Sequence, residues 1–131
     1  MKIGIFGGTF DPPHIGHMMS ASSAALQMGL DLLYIIPAGV PPHKKLPENS
    51  PSNEMRLRMT CFASENIENA VVSGIEMKRE GKSYTIDTVE EIASRYPKAK
   101  LCLLYTSKQE KIFPIQKGNV LSWRALLPCC M

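Results

Sequence analysis

A chain of 131 residues, 44% hydrophobic and 21% charged, holds enough sequence for one domain with one core and not for two. Its formal net charge of +3 is small, and its basic residues fall in short groups (Lys44–Lys45, Arg56 and Arg58, Lys78–Arg79) that read as solvated faces and loops, which argues against a nucleic-acid partner. No run reaches the ~18 apolar residues of a membrane span, and Cys61, Cys102, Cys129 and Cys130 lack the spacing of a zinc site, so the expectation is a cytoplasmic protein with reduced thiols.

Lys2 to Phe6 (KIGIF) reads as a buried strand closed by a glycine pair, an apolar run too short for a signal-peptide core. From about His14 to Met28 the pattern turns helical. Ile15, Met18, Met19, Ser22, Ala25 and Leu26 are read as one face, and Gly29 stands at the C-terminal cap. Leu32 to Ile36 (LLYII) is a second strand, stopped by Pro37. A proline-rich loop follows, long enough to suggest a functional role. Ser52 or Asn53 then caps a helix whose apolar face is read as Met55, Met59, Phe62 and Ala63. Ala70 to Ser73 is a third strand. Thr85 or Asp87 opens a helix striped by Ile86, Val89, Ile92, Ala93 and Tyr96, and Leu101 to Leu104 (LCLL) is a fourth strand. Cys61 and Cys102 fall at positions that suit packing.

Alternation of this kind predicts an α/β fold: a Rossmann-like, doubly wound parallel sheet in a single domain. Such sheets place their sites at the carboxyl ends of the strands, near the topological switch. The stretch GGTFDPPHIGH, Gly7 to His17, falls there. Gly7 and Gly8 let a ligand approach the main chain, and the N–H groups of the loop and helix start favour an anion. His14 and His17, three apart on the first turn, can both donate to phosphate oxygens whose charge rises during transfer. This chemistry suggests nucleotidyl transfer, with the protein positioning groups and neutralising charge. Asp11 is read as turning its own loop, and no residue is assigned to a metal.

GGTFDPPHIGH resembles the T/H-x-G-H signature of the nucleotidyltransferase superfamily. Within it, PPHK at Pro41 to Lys44, RLRM at Arg56 to Met59 and SYTIDT at Ser83 to Thr88 are similar to the bacterial nicotinate-nucleotide adenylyltransferases, a resemblance covering about Met1 to Leu104. It implies ATP and nicotinate mononucleotide as substrates, Mg²⁺ as cofactor, and deamido-NAD and pyrophosphate as products. By position it implies that Gly7, Gly8, Thr9, Phe10 and Gly16 line the nucleotide and that His14 and His17 grip its phosphates. Lys44, with Lys45, would reach the triphosphate from the long loop. Tyr84 and Thr85 would lie beside the nicotinate ring. From local sequence alone the lysines read as solvated, Thr85 as a helix cap and Tyr84 as a lid over the core.

Beyond Leu104 the resemblance stops. No S-T-x-x-R-type motif follows, so residues 1–104 are read as the nucleotidyltransferase domain, incomplete at its C-terminus. Residues 105–131 are read as an atypical, disordered tail, the result of truncation, a frame shift or divergence. On that reading the chain is an impaired enzyme or a non-catalytic nucleotide-binding remnant. Phosphopantetheine adenylyltransferases and cytidylyltransferases share the first motif, but PPHK and SYTIDT argue against them. Class I aminoacyl-tRNA synthetases also carry HIGH, but YTSKQEK is a poor substitute for their lysine-rich loop.

Overall fold

The computed structural model describes residues 1–39, 46–105 and 120–124. Its elements are β1 (Lys2–Gly8), α1 (Ile15–Met28), β2 (Leu32–Pro37), α2 (Asn53–Ser64), β3 (Ala70–Val72), α3 (Thr85–Arg95), β4 (Lys100–Tyr105) and β5 (Val120–Arg124). The strands form one parallel sheet in the order β3-β2-β1-β4-β5. After β3 the chain returns past β1 to build outward on its other side. The switch point of the sheet therefore lies at the carboxyl end of β1, where Gly7 and Gly8 stand.

Alternation along the strands sends side chains to two cores. Phe6, Leu33, Ile35, Cys102 and Leu104 meet Met18, Ala21 and Ala24 of α1. Ile3, Ile5, Tyr34, Ile36 and Leu101 meet Val89 and Ile92 of α3. Helices thus cover both faces, as a parallel sheet requires.

Several expectations fail in informative ways. On α1 the inward residues are Met18, Ala21 and Ala24, whereas Ile15, Met19 and Leu26 are exposed. Small alanines let the helix lie close to the sheet, and large apolar residues outside that line have nothing to cover them. On α2 the buried residues are Arg56, Thr60 and Ser64, while Met55 and Phe62 face solvent. The two hydroxyls donate to carbonyls one turn back, Thr60 to Arg56 and Ser64 to Thr60, both at 2.7 Å, so they are buried without an orphaned donor. Arg56, read as solvated, is fully buried, and Cys61, read as packed, is exposed. A strand beyond Leu104 was not expected either. β5 pairs with β4 from Leu101↔Val120 to Tyr105↔Arg124, so the outer edge of β4 is covered.

Candidate active site

The loop between β1 and α1 is shaped by one aromatic ring. Phe10 holds a left-handed backbone (φ 49) and folds its ring into the core, 1% exposed and 5.8 Å from Phe6. A β-carbon on Gly8 would lie 2.9 Å from that ring, so only glycine admits it. The His17 ring packs against Phe10 with centroids 5.1 Å apart and the rings near perpendicular. Sequence reasoning placed the Phe10 backbone at the nucleotide and missed its side chain as the floor under a histidine.

His14 and His17 cap the helix for each other. The His14 N–H donates to Nδ1 of His17 at 3.0 Å, and the His17 N–H donates to Nδ1 of His14 at 3.3 Å. Their rings stack at 3.6 Å. A nitrogen that accepts cannot carry the proton, so in the neutral pair both protons sit on Nε2. Among the described residues neither Nε2–H has an acceptor. Partial burial first, and the neighbouring His14 second, hold the His17 imidazole below the ordinary histidine range, which favours this neutral form. The result is two fixed donors beside the first turn of α1, whose own N–H groups add positive potential. Gly16 makes the stack possible: a β-carbon there would sit 2.9 Å from Cε1 and 3.0 Å from Nδ1 of His14.

Three further segments converge on this loop. Ala38, after β2, donates its N–H to the Gly8 carbonyl at 2.8 Å. Ser50 donates to Asp11 Oδ2 at 2.6 Å, so Asp11 ties its loop to the approach of α2 instead of turning on its own backbone. Arg56 donates from Nη1 to the carbonyls of Thr9 and Ala38, both at 2.8 Å. Burial lowers the pKa of Arg56 and nearby Asp11 opposes the shift; a guanidinium keeps its proton under such conditions.

Tyr84 and Thr85 stand at the start of α3. Tyr84 is the cap residue, extended and about half exposed, and its side chain makes no capping bond; Thr85 is the first helical residue. The strap leading to them is locked by polar contacts. Arg79 donates to Ser83 Oγ at 3.0 Å and Thr88 Oγ1 at 2.7 Å and pairs with Glu91 at 2.9 Å, while Thr88 donates to Glu76 at 2.8 Å. The same strap lies against the segment after β2, where a β-carbon on Gly39 would meet the Glu76 carbonyl at 2.4 Å. The first turn of α3 therefore opens on the same edge of the sheet as His14 and His17. Lys44 and Lys45 lie outside the described residues.

The cytidylyltransferase-like family model matches residues 5–117. The chain belongs to that family. The match runs past Leu104, further than the motifs alone suggested. Similar members include the probable nicotinate-nucleotide adenylyltransferase of Halalkalibacterium halodurans, 42% identical over 89% of this chain and 56% of that protein. The nicotinate-nucleotide adenylyltransferase of Bacillus subtilis is 40% identical over 86% of this chain and 59% of its own. The chain thus spans somewhat more than half the length of these curated relatives. Among solved structures, the Plasmodium falciparum nicotinic acid mononucleotide adenylyltransferase complexed with APC superposes with a TM-score of 0.65 at 15% identity, covering 79% of this chain and 50% of that one. A Vibrio parahaemolyticus structure provisionally named for the same activity reaches 0.70 at 21% identity, covering 97% and 76%. These likenesses establish the fold. Among the described residues of this family member, no three His, Cys, Asp or Glu side chains are grouped to hold a metal, and no helix is long and apolar enough to cross a membrane.

Proposed function

We propose that this chain transfers the adenylyl group of ATP to nicotinate mononucleotide, forming deamido-NAD and pyrophosphate, the activity for which its 40% to 42% identical relatives are named. The observation that carries the reading is the reciprocal histidine cap, which leaves two Nε2–H donors without an acceptor among the described residues, at a helix start on the switch point of a parallel sheet. In the reaction a phosphate oxygen of the mononucleotide attacks the α-phosphorus of ATP, and the bond to the leaving pyrophosphate breaks. His14 and His17 donate to the triphosphate oxygens as their charge grows. The backbone of Gly7, Gly8, Thr9, Phe10 and Gly16 lines the nucleotide, and Lys44 and Lys45 reach the phosphates from the loop after β2. Mg²⁺ bound with ATP would supply charge neutralisation on the triphosphate. The uncapped first turn of α3, behind Tyr84 and Thr85, offers N–H groups to the nicotinate carboxylate.

The test is pyrophosphate release from ATP and Mg²⁺ with the acid or the amide mononucleotide, alongside ATP titration of the wild type and His17→Ala. Release that depends on the acid mononucleotide, with ATP binding weakened in His17→Ala, is expected. ATP binding without release identifies a non-catalytic nucleotide binder. A preference for the amide refutes the assignment of Tyr84 and Thr85, and a wild-type chain that binds no ATP refutes the site.

A further inference from the structure

Arg56 touches neither histidine, yet it joins the segments on which the histidines depend. Its side chain is 0% exposed. Both hydrogens of Nη1 are used, one on the Thr9 carbonyl and one on that of Ala38, and Nη2 donates to Asn53 Oδ1 at 2.6 Å. Its Nε–H, also buried, has no partner among the described residues. For stability alone this is a poor choice. A buried donor left unpaired carries its full desolvation penalty, and apolar residues often replace buried charges at no loss. What the guanidinium does achieve is to fix two loop carbonyls, at the ends of adjacent strands, relative to each other and to α2.

The consequence runs along the chain. Thr9 precedes Phe10, whose left-handed backbone persists only where its surroundings over-determine it. Phe10 packs against the His17 ring, and His17 orients His14 through the reciprocal cap. Pinning the Thr9 carbonyl therefore sets the direction of both Nε2–H donors. We propose that Arg56 is a positioning residue for the nucleotide site, acting through Thr9 and Ala38 without touching the nucleotide; this rests on the reading of that site given above. Its position inside α2 explains why a helix assigned an apolar inner face has a polar one.

The experiment compares Arg56→Lys and Asn53→Ala with Ser64→Ala, a buried polar change on the same helix remote from the loop. Lysine keeps the charge but cannot span two carbonyls and Asn53 with a planar fork. Alanine at Asn53 leaves Arg56 in place and frees one arm. The readouts are ATP affinity, thermal midpoint, and two probes of the free protein: hydrogen exchange at the Ala38 amide and the ring-current shift of the His17 imidazole. Arg56→Lys should weaken ATP binding about tenfold or more, the value of one well-aimed donor to a charged group. It should also speed Ala38 exchange and move the His17 signal, with Asn53→Ala intermediate. Ser64→Ala should lower the midpoint and leave affinity and both probes unchanged. Wild-type affinity in Arg56→Lys overturns the inference, as does a Ser64→Ala variant that loses affinity in the same proportion to its midpoint. If His17→Ala loses ATP and Arg56→Lys does not, only this inference falls; if His17→Ala binds ATP normally, the nucleotide reading falls and takes this one with it.

Discussion

Gly16→Ala separates what the histidine pair does for the fold from what it does for a ligand. The new methyl carbon would stand 2.9 Å from His14 Cε1 and 3.0 Å from Nδ1. The His14 ring is the free end of an exposed side chain, so it swings away and the helix backbone stays. The reciprocal cap is lost, at a cost of about 1 kcal/mol. Alanine in place of glycine within a helix recovers up to about 1 kcal/mol. These nearly cancel, and the thermal midpoint should move by less than about 5 °C. The ligand has no such compensation. Losing one aligned donor to a charged phosphate costs about 1.5–3 kcal/mol, which is about tenfold to a hundredfold in ATP Kd. Isothermal titration with ATP beside a calorimetric melt reads both quantities. An unchanged Kd would refute the role of the His14 ring. A collapse of the midpoint with Kd preserved would show that Gly16 serves the fold alone.

The lowered pKa of His17 gives a signed pH dependence. A folded value below the unfolded one means that the unfolded chain binds more protons between the two. Stability is therefore full above about pH 6.5 and falls as pH drops through that value toward the folded pKa. His17→Asn, which keeps a cap acceptor and cannot titrate, should show a flatter midpoint-versus-pH curve from pH 7.5 to 5; identical curves would remove His17 as the cause. Gly39→Ala drives a β-carbon to 2.4 Å from the Glu76 carbonyl and 2.9 Å from its carbon, backbone that cannot swing aside. A loss of about 1–3 kcal/mol in urea unfolding is expected, and a variant as stable as wild type would show that the strap moves freely.

Where one residue type dominates a local choice, the sequence was readable. Glycines closing β1, Ser52 capping α2 and Gly29 in a left-handed C-cap all stand where expected. So do the paired histidines at the start of α1. The inner faces of α1 and α2 were not readable, because size and polarity there follow the neighbouring surface. Ala21 and Ala24 are buried since the helix lies close to the sheet, and Arg56 is buried since loop carbonyls wait for it. No periodicity in the sequence announces two carbonyls from distant segments. The recurrence of Arg56, Thr60 and Ser64 at four-residue spacing was the available signal, and only a ledger of unpaired loop carbonyls gives it meaning. β5 was missed because VLSWR is short and mixed in polarity, and its place depends on the open edge of β4.

Because β1 lies at the middle of the sheet, the first strand of the chain is not completed until β4 has joined it. Its pairing with β2, from Ile3↔Leu32 onward, closes across a single helix. Its pairing with β4, beginning at Lys2↔Lys100, must close a loop roughly three times as long, at about 1 kcal/mol more in chain entropy. A β1-α1-β2 unit can therefore form early with the histidine loop already at its tip, while the other edge of β1 stays open until β4 has been made. During that interval Gly4, Phe6 and their neighbours present an unpaired parallel edge, the period when a growing chain of this topology is most exposed to mispairing with another copy of itself.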